Sequence, residues 1–275
     1  RVLPAHLESN FINPDYAGAQ PRECLRRPPG APDGDGPAQA FTGADIAAEI
    51  ARARPDVGIV TVAPELPGAI DLIRELVAHG HRVSLGHSGA TYEEALEGIA
   101  AGASQATHLF NRMPPLHHRA PGLAGAVLAS DEVAAELVCD GVHVHAGAMR
   151  VAIAAKRAAR VMAVTDGTAG SGLPPGSTAT ICGRAIVVRD AAYLEDGTLA
   201  GSVLTMDRAF ERLVGLVGVG PVDAALMCAT TPARELGLQG HGVIAPGAVA
   251  DLVVLDRRLR VVQTWIGGVL AFQRT

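Results

Sequence analysis

Apolar runs of strand length alternate with amphipathic helical stretches through residues 2–166. Residues 2–8 read as a strand, and VGIVTVAPE (57–65) is a continuous apolar run of the kind buried on both faces of a parallel sheet. RVSLGH, ASQATH, AELVCD (135–140) and ARVMAVTD (159–166) supply four more. Helix patterns fall between them. TGADIAAEIARA opens with Thr42 as an N-cap, and PGAIDLIRELVAHG puts Ile70, Ile73, Leu76 and Val77 on one face with Gly80 as its stop. ATYEEALEGIAAG pairs Thr91 with Glu94 at capping-box spacing and stops at Gly102, and AGAMRVAIAAKRAA separates the last two strands. Six strand units alternating with helices imply a parallel sheet.

Two stretches interrupt the alternation. Residues 21–37, rich in Pro and Gly, read as a mobile loop, and NRMPPLHHRAPG carries three prolines and a cluster of cationic groups. After residue 175 the texture changes. Residues 176–198 show β alternation with turns at Cys182-Gly183 and Asp196-Gly197; MDRAFERLVGLVG and VDAALMCATTPARELG read as helices; the tail reads as short antiparallel strands. No GxGxxG follows the first strands, which removes support for a dinucleotide fold. A (β/α)8 barrel runs to about 250 residues with function at the carboxyl ends of its strands. Six units end near residue 166 here, so the expected fold is a TIM-type barrel whose first two strand units are absent, their expected place being before Arg1. The expected domains are a partial barrel with a metal site (1–175), a small β-sandwich built from 176–198 and 241–275, and final barrel helices with a substrate loop (199–240).

Composition narrows the class. The 275 residues are 48% hydrophobic and 19% charged, ordinary for one full-sized domain or one with a small satellite. Aromatics make up 3%, so Ala, Val, Leu and Gly must do the packing. A net charge of −5 argues against nucleic acid, and no apolar run approaches the roughly 20 residues that span a bilayer. The four cysteines form no CxxC pair, so neither a disulfide framework nor a zinc knuckle is expected, and a reducing cytoplasm is the expected location.

Glu8, His87, His108 and Asp166 each stand where a strand-like run ends. Imidazole and carboxylate from separate strands suit a divalent ion such as zinc; three such ligands leave one position open to water, and the remaining carboxylate can move that water's proton. Taken singly, each has a plainer reading: a strand-end histidine packs or hydrogen-bonds, and an aspartate caps the next segment. His6 shares a strand face with Glu8 and reads as structural. His143 is placed to polarise a carbonyl or hold substrate, His145 to start a helix, and His79 and His81 to flank a turn. Arg119, with His117 and His118, forms a compact cationic loop in an acidic protein, and the arginine fork suits phosphate.

HLESNFINPDYAGAQ, VSLGHSGATYEEA, THLFNRMPPLHHRAPGLAGAVL, DGVHVH, AVTDG, DGTLAGSVLTM and GVIAPGAVADLVVLD occur in this order along essentially the whole chain. In them the chain resembles the N-acetylglucosamine-6-phosphate deacetylases of the amidohydrolase superfamily. The resemblance implies a metal held by Glu8, His87 and His108, zinc by default with iron, manganese or cobalt accepting the same ligands. It implies Asp166 as acid/base and His143 polarising the acetamide. Asn111, the backbone at Arg112, and Arg119 would hold the sugar phosphate, with His118 and Arg119 reaching the phosphate of a partner subunit in a homodimer with shared active sites. Ala19, Asp140, Leu199, Ala200 and Gly201 match positions lining the sugar pocket.

The chain departs from the family pattern in places. Ser9-Asn10 replaces Gly-Pro, Arg112 replaces a small residue, and Ala120 replaces a frequent glutamate. The HxH motif of the family's first barrel strand is not among these residues, so a second metal depending on it cannot be built from them, whereas single-metal chemistry can. The implied reaction is hydrolysis of N-acetylglucosamine 6-phosphate to glucosamine 6-phosphate and acetate. Two rival readings stay open: deacetylation of N-acetylgalactosamine 6-phosphate or another amidohydrolase substrate, and an inactive fragment or binding-only paralogue.

Overall fold

The computed structural model describes residues 2–8, 10–31 and 41–275. Ser9 and the part of the expected loop from 32 to 37 lie outside the described residues. Six strands form one open sheet in the order β1 (Ala5–Leu7), β2 (Val57–Val62), β3 (Arg82–Leu85), β4 (Gln105–Ala106), β5 (Ala134–Val138), β6 (Val161–Val164). The pairs from β1 to β5 are parallel, with Val60 opposite Val83 and Leu85 opposite Ala106. Sequence order equals spatial order, as in a barrel wall, and the loops leaving the carboxyl ends of β1 to β4 therefore emerge along the same sheet edge.

The chain divides into two compact units. The first comprises residues 1–136, 182–184 and 196–200. It holds β1 to β4, the start of β5, and α1 (Gly43–Arg52), α2 (Ala69–Ala78), α3 (Tyr92–Ala100) and α4 (Gly122–Ala129). Thr42 and Asp45 close a capping box on α1, as Thr91 and Glu94 do on α3, each satisfying two otherwise unpaired N–H groups. Helix α4, GLAGAVLA, has no polar face, and Gly122 through Val127 are all buried. Small residues let it lie close against α3, which also meets α2. Strand β2 is buried along almost its whole length, which is why it reads as an unbroken apolar run.

The second unit comprises residues 137–181, 185–195 and 201–275. It holds β6, α5 (Ala146–Lys156), α6 (Met206–Arg212), α7 (Pro221–Ala225) and α8 (Thr231–Glu235). Wider π-helical turns, Leu213–Val217 and Leu226–Thr230, follow α6 and α7. The β-rich segments form two separate three-stranded sheets. One is β7 (Thr178–Ile181), β8 (Arg184–Val188) and β9 (Ala192–Leu194), reversing between β7 and β8 at Cys182 and Gly183, both with positive φ. The other is β10 (Leu252–Leu255), β11 (Val261–Ile266) and β12 (Val269–Gln273), antiparallel throughout. Among the described residues no helix is long and apolar enough to cross a membrane.

Burial separates the thiols. Cys139 is buried and its thiol is pushed up to about 12, first by burial and then by Cys228 and Asp140; burial alone pushes Cys228 up to about 11. Cys24 and Cys182 are exposed. At pH 8 a disulfide reagent is expected to titrate Cys24 and Cys182 promptly and the other two slowly, because thiolate is the reacting form. Four thiols reacting at one rate in native protein would contradict this core.

Candidate functional site

Glu8 follows β1 directly, and His87 and His108 stand two residues beyond β3 and β4. Parallel strands thus bring together three side chains far apart in sequence. Glu8 Oε1 lies 2.9 Å from His87 Nε2, Glu8 Oε2 lies 3.4 Å from His108 Nε2, and the two Nε2 atoms are 3.0 Å apart. Both histidines are buried, and Glu8 is half-buried. Burial by itself would raise the Glu8 pKa, but hydrogen bonds and charge from His108 and His87 reverse that and hold it well below the usual carboxylate range.

The partner of the other His87 nitrogen decides what this cluster can bind. His87 Nδ1 lies 2.8 Å from the Tyr16 carbonyl oxygen, which only accepts, so the ring proton sits on Nδ1. In the neutral ring the Nε2 lone pair then faces a carboxylate oxygen and a second imidazole. Lone pairs so arranged repel unless a proton or a cation lies among them. A tetrahedral ion with bonds of about 2.1 Å has ligand-to-ligand edges of about 3.4 Å. The three observed separations fall within half an ångström of that value, so the donor set fits a divalent ion. Gln20 Nε2 donates to Glu8 Oε1 at 3.0 Å and steadies the carboxylate.

The backbone is as specialised as the side chains. His87, His108 and Asp166 have φ of 48°, 29° and 48°, a left-handed region that non-glycine residues seldom enter and that costs about 1–3 kcal/mol each. Each of these turns stands at the carboxyl end of a strand. This also shortens β4: ASQATH reads as one strand, but the left-handed turn at His108 leaves only Gln105 and Ala106 regular. Gly86 permits the approach of neighbouring chains, because a Cβ there would stand 2.7 Å from Thr107 Cβ.

Under the cluster runs a buried polar row contributed strand by strand. His6 Nε2 lies 2.8 Å from Thr61 Oγ1, Thr61 Oγ1 lies 2.9 Å from Thr107 Oγ1, and Ser84 Oγ lies 2.7 Å from Thr107 Oγ1. Glu136 on β5 lies 3.6 Å from His6 Nδ1, and its Oε2 accepts from the His108 backbone N–H at 3.4 Å. Burial pushes the Glu136 carboxyl up, against the pull of His6 and His108. His6 is thus a structural partner, as its place on the strand face predicts.

Asp166 belongs to the second unit, half-buried two residues past β6. Its carbonyl accepts from Ser202 N–H at 2.7 Å, and Ser202 Oγ donates to the Thr165 carbonyl, tying the turn to the segment after Gly201. In the same unit His143 Nδ1–H donates to Asp140 Oδ2 at 2.6 Å, while Asp140 Oδ1 accepts from the N–H groups of Val142 and His143 at 2.9 and 2.8 Å. Burial opposes charge on Asp140, but the His143 ring and these backbone donors outweigh it and lower its pKa. The structure therefore gives Asp140 a partner in His143. His145 N-caps α5 by accepting from Gly147 N–H, as its position at a helix start predicts.

The remaining sugar and phosphate candidates are scattered over the first unit, with one exception. Asn111 Nδ2 donates to the His108 carbonyl at 3.1 Å, and Arg112 is exposed with its carbonyl accepting from Ser88 N–H at 3.1 Å. Arg119 and His118 are exposed and joined at 2.7 Å, and the Ala19 carbonyl accepts from Arg184 at 3.4 Å. Leu199 and Ala200 lie in the first unit and Gly201 in the second. Tyr16 and Gln20 fall within the quoted motif HLESNFINPDYAGAQ but are given no role there, and Glu65 and Glu136 lie outside the quoted motifs. The strand-end rule that finds Glu8 does point to Glu65, the last residue of VGIVTVAPE; a carbonyl partner such as that of Tyr16 has no sequence signature at all.

The model of the amidohydrolase family matches residues 47–271. An N-acetylgalactosamine-6-phosphate deacetylase of Escherichia coli is 37% identical over 98% of this chain and 68% of its own length. The chain belongs to the amidohydrolase family, in its N-acetylglucosamine-6-phosphate deacetylase group. A member named N-acetylglucosamine-6-phosphate deacetylase, from Lysinibacillus sphaericus, is 35% identical over 99% of this chain and 67% of that protein. The amidohydrolase crystallised with N-acetyl-D-glucosamine-6-phosphate from Mycobacterium smegmatis matches at a TM-score of 0.87 and 32% identity, covering 97% of this chain and 68% of that one. The chain thus spans about two thirds of the length of the relatives it matches.

Gly201, with φ of 70°, packs against the Asp166 turn: a Cβ there would stand 2.5 Å from Thr168 Cγ2 and 2.8 Å from the Asp166 carbonyl oxygen. Gly201→Ala is therefore expected to cost about 1–3 kcal/mol. A melting temperature equal to that of the parent protein would contradict the tight turn.

Proposed function

We propose that this chain carries the site of a metal-dependent deacetylase that hydrolyses N-acetylglucosamine 6-phosphate to glucosamine 6-phosphate and acetate. The observation that carries the reading is the convergence of Glu8, His87 and His108, with the Tyr16 carbonyl fixing the His87 tautomer. The activities named for the relatives supply the substrate class. A divalent ion, zinc by preference for two imidazoles and a carboxylate, supplies Lewis acidity that activates water and polarises a carbonyl.

The chain's own residues do the rest. Glu8, His87 and His108 hold the ion. Asp166 takes the proton from the attacking water and delivers it to the amine nitrogen as the C–N bond breaks. His143, oriented through Nδ1 by ionised Asp140, polarises the acetamide oxygen, where negative charge develops. Asn111, the backbone at Arg112, and Arg119 bind the phosphate, with His118 accepting from Arg119 and orienting its guanidinium. Ala19, Leu199, Ala200 and Gly201 line the sugar pocket. The functional protein is a cytoplasmic homodimer in which Arg119 and His118 serve the partner's site.

A second reading, N-acetylgalactosamine 6-phosphate as the preferred substrate, is favoured by the 37% identity to the Escherichia coli enzyme named for that sugar. Comparing turnover of the two sugar phosphates and of their unphosphorylated forms separates the readings. Equal turnover with and without phosphate would remove the role of Arg119.

Asp166→Asn is expected to lower turnover by about 100- to 10,000-fold while metal content, read by atomic emission, stays near that of the parent. Chelator treatment should abolish acetate release and added Zn2+ restore it; activity surviving full metal removal would refute the reading. Mixed dimers test the sharing. Asp166→Asn and Arg119→Ala subunits, each inactive alone, should regain activity when mixed, because one site then has both Asp166 and the partner's arginine. No recovery would place Arg119 in its own subunit's site.

A further inference from the structure

Glu65 stands three residues beyond β2 and belongs to none of the roles above. It is half-buried and accepts three hydrogen bonds: from Asn13 Nδ2 at 2.9 Å, from Ser88 Oγ at 2.7 Å and from Gly89 N–H at 2.6 Å. Its donors come from the loops after β1 and β3, the two strands flanking its own.

Both arms lead to His87. One arm acts on the backbone. Ser88 and Gly89 follow His87 directly, and His87 has the left-handed φ of 48°, which its surroundings must hold against a cost of about 1–3 kcal/mol. Two bonds from a carboxylate to the next two residues, with Ser88 N–H donating to Arg112 and Asn13 N–H donating to the His87 carbonyl at 3.0 Å, pin that turn. The other arm acts on the ring. Asn13, held by Glu65 through Nδ2, uses Oδ1 to N-cap the short 3-10 turn Pro14–Tyr16. The last residue of that turn is Tyr16, whose carbonyl takes the His87 Nδ1 proton at 2.8 Å. The Tyr16 ring also lies over Gly89, where a Cβ would stand 2.6 Å from Cε2.

We infer that Glu65 is the positioning residue of the metal centre: it sets the His87 backbone turn and, through Asn13 and Tyr16, the His87 tautomer, and so tunes metal affinity. This rests on the metal-site reading above. A side chain without an acceptor at 65 leaves the donors from two loops without their shared partner, and the His87 lone pair loses its aim. Outer partners of this kind change metal affinity by about 10- to 100-fold when removed.

The test is Zn2+ affinity of the full 275-residue chain, measured by competition with a chromophoric chelator, beside amide exchange at Ser88 and Gly89 in metal-free protein. Glu65→Ala is expected to weaken Zn2+ binding by about 10- to 100-fold and to speed exchange at both amides. Glu65→Gln, whose amide oxygen still accepts, should recover part of the affinity. Folded Glu65→Ala with Zn2+ affinity within twofold of the parent would overturn the inference. If Glu65→Ala does not fold, Glu65→Gln and Asn13→Ala decide it, and both lying within twofold overturns it. Parent protein that binds no Zn2+ sinks the metal reading along with it. Glu65-dependent Zn2+ binding without deacetylation leaves the inference standing and removes only the substrate.

Discussion

A carboxylate oxygen and two imidazole nitrogens held about 3 Å apart are an electrostatic problem before they are a site. Glu8 and His87 offer lone pairs to the same small volume beside His108 Nε2, and the Tyr16 carbonyl takes the one ring proton with which neutral His87 would relieve the conflict. A cation among the three donors would resolve it, and the surrounding structure holds them in place for one. The parallel sheet brings the donors to one edge, left-handed turns hold the two histidines there, and Gln20 fixes the carboxylate. The polar row beneath, from His6 through Thr61 and Thr107 to Ser84, satisfies its own hydroxyls and gives the ligands a firm floor.

The two halves of the proposed chemistry are built on different principles. The ligand cluster is assembled across strands, and none of its members is a sequence neighbour of another. The Asp140–His143 pair is assembled within a single turn, three residues apart, with the carboxylate also closing the backbone it sits on. Asp166 lies between these extremes, its turn held by Ser202 and by the close approach of Gly201.

Much of this was readable from the residues alone, and the limits of that reading are physical. The N-cap at Thr42, the capping box at Thr91, the glycine stops, the reversal at Cys182-Gly183 and the six strand units are local, each decided by a few adjacent residues. Strand ends mark Glu8, His87, His108 and Asp166 because periodicity shows where a run stops. What escapes is whatever depends on distant or anonymous partners. Asn13 and Glu65 meet across 52 residues, Tyr16 acts through a carbonyl that any residue would supply, and Glu136 hides inside an apolar strand. The shortness of β4 escapes because residue type does not announce the left-handed turn at His108. Likewise the β-rich segments announce strands, but nothing in them says that they form two separate sheets.

The separation of Glu8 from His87 by 79 residues has a consequence for the life of the chain before it is finished. Such a pair cannot meet until the intervening strand is paired, since the entropy of closing so long a loop is repaid only by tertiary order. An immature chain therefore offers loose histidines and acids but no preformed nest, and captures an ion weakly. An ion held by these three ligands would therefore be retained by molecules whose wall is already built, and its binding would stabilise that wall against reopening.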